Sequence, residues 1–349
     1  MSQSVEAPAQ AASTSDLRAA LEQALTCHFG KRRSIARLER RPADMRSSCT
    51  LEELNVCLDD GASLTLLFKD LSRHALLDSA RQVKPAFLHD PLREIEIYRR
   101  FLAPERMGTA TCYGVEVDPR VGHYWLFLEK VTGVELFQVG DFATWQLVAR
   151  FLAGMHTRFA ARADLRELAH AAHLLAYNAD FFRVWLDRAR DFVPAAGASH
   201  QREATPFLEW LARRYELVIE RLVALPVTLI HGEFYASNVL IQENADRVRV
   251  CPVDWEMAGV GPCLLDLAAL TAGKWTDEQK TALALAYHAA LPPDESRRPR
   301  LDVFLADLDY CRLHQAVQWL GWSPEWLPPP DHRRNWLSEA VHLAQKLGF

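Results

Sequence analysis

The sequence predicts an α+β chain in two parts, a small antiparallel sheet with one helix followed by a larger, mainly helical region. Three observations carry this expectation. SIARLERR (34–41), TLEELNVCL (50–58) and SLTLLFKDL (63–71) have strand texture, and Asp59-Asp60-Gly61 supplies a hairpin turn between the last two. A second pair, CYGVEV (112–117) and HYWLFLEKV (123–131), flanks the turn sequence DPRVG. From residue 142 onward the apolar residues recur mostly at helical spacing.

Taken in order, residues 1–15 are rich in Ser, Ala, Gln and Pro and read as a disordered tail. DLRAALEQALTCHFG (16–30) is helical in pattern and stops at Gly30. The five strands come next, with HDPLREIEIYRRFL (89–102) as the helix between the third and fourth. Its Leu92, Ile95, Tyr98 and Leu102 share one face. The stretch from Leu71 to His89 is long for a strand-to-helix connection. Residues 16–131 thus form one expected domain and 132–349 a second.

In the second domain, Asp141 is a candidate N-cap for a helix over 142–160 with Trp145, Val148, Leu152, Met155 and Phe159 on one side. Helical stretches follow at about 164–192 and 205–224. VTLI (227–230), NVLI (238–241) and RVRVCPVDW (247–255) interrupt them as strands. From Pro262 the pattern is helical to the end, broken at 291–299 and 323–332.

Composition narrows the function classes. The 349 residues are 49% apolar and 24% charged, ordinary for a globular enzyme. A net charge of -5 argues against a nucleic-acid binder. No apolar run approaches the ~18 residues of a membrane helix, and the N-terminus lacks the basic start and apolar stretch of a secretory signal. The seven cysteines include no Cys-x-x-Cys pair and read as reduced thiols of a cytoplasmic protein.

The chemistry concentrates in LIHGEFYASNVLI (229–241), where a loop between two short strands carries a His, an acid and an Asn. Glu233 and Asn238 are five apart, the Asp-x-x-x-x-Asn spacing of a phosphotransferase catalytic loop. Sixteen residues later Asp254 ends an apolar strand in VCPVDWEMAGVG. An Asn and an Asp displayed at neighbouring strand ends can bind a hard cation through oxygen, and Mg²⁺ suits that donor set. Alone, Asp254 would be a strand-end acid facing solvent; its company makes it a candidate metal ligand.

IHGEFYASNVLI and VDWEMAGVGPCLLDLA resemble the aminoglycoside phosphotransferase and choline kinase-like family. The resemblance implies a two-lobed protein-kinase-like fold with ATP or GTP and Mg²⁺ as cofactors and a small-molecule hydroxyl as acceptor. It makes Glu233 the catalytic acid/base, with Asn238 and Asp254 as metal ligands. It also implies a lysine at the end of the third strand, which Lys69 supplies, and an orienting glutamate early in the following helix. Glu94 fills that place better than Glu96, which points about 200° away on the helix. LEKVTG (128–133) stands where the family has its interlobe hinge, so the backbone around Glu129 and Val131 would contact the nucleotide base. Asp266 would brace the catalytic loop, with His231 as a structural histidine. His156 reads as a packing residue, Glu256 as facing metal or solvent, and Trp319, Trp322, Trp326 and Trp336 as core or as a substrate wall.

Two features depart from the family pattern. The acid after His-Gly is Glu233 where Asp is usual. Acidity hardly differs, with reference pKa values of about 4.3 and 3.9. Reach differs by one carbon–carbon bond, about 1.5 Å, and a misplacement of ~1 Å can cost ~10²-fold in rate. A loop set slightly further back would compensate. Secondly, the phosphate-covering loop between the first two strands, RPADMRSSC (41–49), has no glycine, and Ser47 and Ser48 would supply donors instead. The expected function is phosphorylation of a hydroxyl on an aminoglycoside, amino alcohol, sugar or other natural product. The alternatives are a nucleotide-binding pseudokinase that regulates a partner, and a nucleotidyltransferase on the same scaffold.

Overall fold

Helix α1 (Thr14–Phe29) opens on Ser13, whose hydroxyl accepts the backbone N–H of Asp16, and closes on Gly30 at φ +65°. Ser13 and the two residues after it therefore belong to the folded chain, which corrects the tail expected over 1–15. The computed structural model describes residues 12–44, 48–192, 198–244, 247–294, 298–325 and 334–349. The chain divides into two compact units, one running to Gln82 and resuming over His89–Thr132, the other comprising Val83–Leu88 and Gly133–Phe349.

In the first unit, β1 (Ile35–Pro42), β2 (Leu51–Leu58) and β3 (Ser63–Asp70) follow α1. The long connection expected after residue 71 is not bare: it holds a 3₁₀ turn at Arg73–Ala75, helix α2 (Asp78–Val83) and a second turn at Ala86–Leu88. The amphipathic helix expected from residue 89 begins later. It runs as α3 (Arg93–Ile97), a π turn over Tyr98–Leu102 and the short α4 (Ala103–Glu105). Leu92 precedes it, while Ile95, Tyr98, Phe101 and Leu102 are buried. Strands β4 (Cys112–Asp118) and β5 (His123–Glu129) complete a five-stranded antiparallel sheet in the order β1-β2-β3-β5-β4. Leu54, Val56, Leu66, Phe68 and Phe127 bury the face that α1 covers with Leu17, Leu21 and Leu25.

The second unit begins with β6 (Val134–Glu135) and α5 (Phe142–Ala160), which Asp141 caps by accepting the N–H groups of Ala143 and Thr144. The helix expected over 164–192 is split into α6 (Leu165–Ala171) and α7 (Ala179–Phe192) by β7 (Leu175–Ala176). Then come α8 (Ala198–Ala212), α9 (Tyr215–Val223), β8 (Val227–Ile230), β9 (Val239–Asn244) and β10 (Arg247–Pro252). Pro262 does not start a helix: it ends β11 (Gly259–Pro262), and α10 (Leu264–Leu270) follows. Helices α11 (Asp277–Ala290), α12 (Leu301–Leu320) and α13 (Trp336–Lys346) finish the chain. Two small sheets organise the loops between these helices, β10-β9-β6 and β7-β11-β8.

Among the described residues no helix is long and apolar enough to cross a membrane. All seven cysteines are free thiols.

Candidate active site

In the first unit, β3 is the central strand, paired on both sides, and its last five positions are buried. Lys69 sits there in register with Leu51 and Leu126. Its Nζ donates to Glu94 Oε2 at 2.6 Å, with the two side chains only 6% and 2% exposed. Burying either charge alone would cost several kcal/mol, about 3–5 in the cases where one partner has been removed. Glu96 is also buried but is engaged by its own helix, with Arg99 Nη1 at 2.8 Å and Arg100 beside it.

Of the residues expected around the nucleotide, Ser48 is half-buried and its carbonyl accepts the N–H of Leu77 at 3.0 Å. Ser47 lies outside the described residues. Glu129 Oε2 accepts both the backbone N–H and the hydroxyl of Thr111 at 2.9 Å, and Val131 is buried.

In the second unit, β8 leads directly into the 231–238 loop. Gly232 has φ +84°, and a Cβ on it would strike the Met257 carbonyl and the Tyr177 hydroxyl, so only glycine fits. The carboxylate of Asp266 on α10 accepts the N–H of His231 at 2.7 Å and that of Gly232 at 2.8 Å. Asp266 is itself held by His156 Nε2 at 3.1 Å, and His156 Nδ1 lies 2.9 Å from the Tyr287 hydroxyl. His156 is therefore more than the packing residue its helix position suggests: it links α5, α10 and α11 through a buried polar network.

The ring of His231 is occupied at both nitrogens. Nε2 donates to the carbonyl of Val253 at 2.9 Å and Nδ1 accepts the N–H of Glu233 at 3.3 Å. Asn238 closes the loop, its Nδ2 donating to the carbonyl of Glu233 at 3.0 Å and its N–H to that of Tyr235 at 2.8 Å. With the amide nitrogen committed, the other atom of that amide is an oxygen acceptor. The Asn238 carbonyl in turn accepts the N–H of Val253 at 2.9 Å, which sets Asp254 beside the loop. Asp254 has φ +63° and ψ 66°, a left-handed conformation for a residue with a side chain. Such strain costs about 1–3 kcal/mol and clusters at functional sites.

Glu256 is largely shielded from solvent, its side chain 17% exposed. Its Oε2 is 2.6 Å from Lys84 Nζ, a residue that the sequence reading passed over. Tyr235, in the 231–238 loop, is a further residue that no local sequence pattern marks. Its hydroxyl accepts from Trp319 Nε1 at 2.8 Å and Gln315 Nε2 at 3.2 Å. Burial pushes its pKa up, and the charge of Glu233 adds to that. Trp319 stacks on Trp336 with ring centres 5.8 Å apart, and Trp336 lines a cavity of about 460 Å³ together with Arg334, Lys280 and His342. Trp322 instead stacks on Trp185, and Trp326 lies outside the described residues.

Among the described residues no group of three or more His, Cys, Asp or Glu is arranged to hold a metal ion. The Asn238 amide oxygen and the Asp254 carboxylate are hard donors of the kind Mg²⁺ takes one or two at a time from protein. The donor set fits that ion.

The model of the phosphotransferase enzyme family matches residues 59–301. The chain belongs to this phosphotransferase family. The match takes in Lys69, Glu94, the 231–238 loop, Asp254 and Asp266. No curated protein matches the sequence. Among solved structures, the family fold is shared with an ethanolamine kinase of Plasmodium vivax at 11% identity and TM-score 0.56, over 89% of this chain and 82% of that one. A microcompartment-associated aminopropanol kinase matches at 18% identity and TM-score 0.55, over 88% and 89% of the two chains. The GDP complex of an aminoglycoside 2′-phosphotransferase-IIIa variant matches at 13% identity and TM-score 0.56, over 94% and 96%. This phosphotransferase-family chain has the protein-kinase-like fold, with an antiparallel-sheet unit preceding a mainly helical one.

Proposed function

We propose that this chain transfers the γ-phosphoryl group of ATP or GTP, with Mg²⁺, to a hydroxyl of a small molecule. The observation that carries the reading is the 231–238 loop. Asp266, His231 and Asn238 fix its backbone at Gly232 and on both sides of Glu233. A loop held at that many points is preorganised, and phosphoryl transfer depends mostly on positioning and charge.

In this reading the acceptor oxygen forms the new bond to phosphorus, the bond from phosphorus to the β-phosphate oxygen breaks, and the nucleoside diphosphate leaves. The Glu233 carboxylate orients the acceptor hydroxyl and takes its proton. Asn238 and Asp254 would hold Mg²⁺, which would supply charge neutralisation at the phosphates. Lys69, oriented by Glu94, contributes a cation to the nucleotide phosphates, and Ser47, Ser48 and the backbone at Glu129 and Val131 complete the nucleotide contacts.

The acceptor would dock along Tyr235, Trp319 and Trp336, which run from the loop to the cavity beside Arg334. Ethanolamine, aminopropanol and aminoglycoside kinases share the fold, which supports amino alcohols and aminoglycosides as first candidates alongside sugars. Seven free thiols support a reducing, cytoplasmic setting.

The test is a nucleotide-consumption screen over hydroxylated metabolites and aminoglycosides, with products weighed by intact mass. The expected products are nucleoside diphosphate and a phosphorylated acceptor. Pyrophosphate with a nucleotidylated product would establish nucleotidyl transfer instead, and nucleotide binding without turnover would favour a regulatory pseudokinase.

A further inference from the structure

Lys84 belongs to a short segment, Val83–Leu88, that packs with the second unit although the chain on either side belongs to the first. The segment is anchored there at more than one point. Leu88 is fully buried. The Phe87 ring lies 5.6 Å from that of Trp185 and 5.8 Å from the guanidinium of Arg188. Arg188 is fixed in turn by donating to the carbonyls of Gly321 and Trp322, each at 2.8 Å. Lys84 is thus delivered on a fastened piece of chain. Its Nζ meets Glu256 Oε2 at 2.6 Å, with the side chains 7% and 17% exposed.

Glu256 lies in the 3₁₀ turn Trp255–Met257 that Asp254 opens. The left-handed backbone of Asp254 persists only if its surroundings over-determine it. On the preceding side Val253 is held through its carbonyl by His231 and through its N–H by Asn238. On the following side the Tyr177 hydroxyl donates to the Met257 carbonyl at 2.8 Å, and the N–H of Ala258 returns to Trp255. The Lys84–Glu256 pair grips the turn between these ties. It also commits a carboxylate that stands two residues from Asp254.

We propose that Lys84 is a positioning residue of the phosphoryl-transfer site. By pairing with Glu256 it holds the 254–257 turn in the conformation that presents Asp254. The inference rests on the phosphotransferase reading.

The test compares wild type, Lys84→Met, Glu256→Gln and the reversed pair Lys84→Glu with Glu256→Lys. Mn²⁺ binding in the presence of a non-hydrolysable ATP analogue is followed by electron paramagnetic resonance, alongside turnover and thermal melting. Lys84→Met is expected to weaken Mn²⁺ binding tenfold or more, in the range for residues that orient metal ligands, and to lower kcat more than it changes KM for nucleotide. Glu256→Gln breaks the ion pair without stripping a carboxylate of its lysine, so its loss should be smaller. It also serves if Lys84→Met fails to fold. The reversed pair should recover part of the Mn²⁺ affinity. A Lys84→Met protein that melts lower but binds Mn²⁺ and turns over like wild type makes the pair merely structural and overturns the inference while leaving the phosphotransferase reading intact. A wild type that binds no Mn²⁺ with nucleotide overturns both.

Discussion

The side-chain amide of Asn238 donates to the backbone carbonyl of Glu233 at 3.0 Å. One residue therefore ties down the proposed base with its nitrogen and offers an oxygen to the proposed metal. The two tasks separate in Asn238→Asp, which keeps an oxygen ligand and loses the donor. Metal binding should stay within a few-fold of wild type while phosphoryl transfer falls roughly 10²-fold, the scale of a ~1 Å displacement. Parallel Mn²⁺ titration and turnover would check this. Equal losses in both would mean that Asn238 acts on the metal alone.

Lys69 and Glu94 make a buried pair, so removing one member takes an opposite charge away from the other. Lys69→Met should destabilise the protein by about 3–5 kcal/mol, read from denaturant unfolding. Lys69→Met combined with Glu94→Gln should regain much of that stability. Both proteins should lack turnover, because the cation proposed for the nucleotide phosphates is gone from each. Turnover in the double variant would assign that role to a different residue.

Asp266 accepts two adjacent backbone N–H groups, and only a carboxylate can accept both without turning a donor toward one of them. Asp266→Asn should lower stability by about 1–3 kcal/mol and impair turnover by loosening the loop at His231 and Gly232. Melting curves and kcat together check it. A variant that melts lower with normal kcat would show that the brace serves the fold alone.

Much of this site was legible because its parts are close in sequence. His231, Gly232, Glu233 and Asn238 stand within one loop, and Lys69 ends a strand whose alternation and hairpin turn are plain in SLTLLFKD. The long-range ties were not legible. Lys84 meets Glu256 across 172 positions, His156 meets Asp266 across 110 and Tyr235 meets Trp319 across 84, and no local pattern announces such pairs. The missed strands β7 and β11 have two and four residues, too short for alternation to register. The π turn at Tyr98–Leu102 keeps a helical apolar pattern, so its different hydrogen bonding leaves no trace in the sequence.

His314 gives a pH expectation. It is fully buried on α12, its Nδ1 is 2.8 Å from the Tyr215 hydroxyl, and burial pulls its pKa down to about 3. The unfolded chain binds this proton near the ordinary value of about 6.5, so between those two values it holds more protons than the folded one. Stability from this group is complete above about pH 6.5 and falls with acidification, by up to about 1.4 kcal/mol per pH unit. His314→Gln should be less stable at neutral pH yet lose less between pH 7 and pH 5. Melting temperatures at the two pH values decide it, and an equal loss in both proteins would remove His314 as the cause.

Glu233 decides between a working transferase and a nucleotide-binding relic. The most direct measurement is single-turnover phosphoryl transfer to the best acceptor of the screen by wild type, Glu233→Gln and Glu233→Asp. Loss of roughly 10²-fold or more is expected for Glu233→Gln, with a smaller loss for Glu233→Asp, because the ties at His231, Asn238 and Asp266 hold the loop backbone in place while the shorter side chain loses reach. Equal rates for wild type and Glu233→Gln, or a Glu233→Asp protein that is active where wild type is nearly inert, would contradict it.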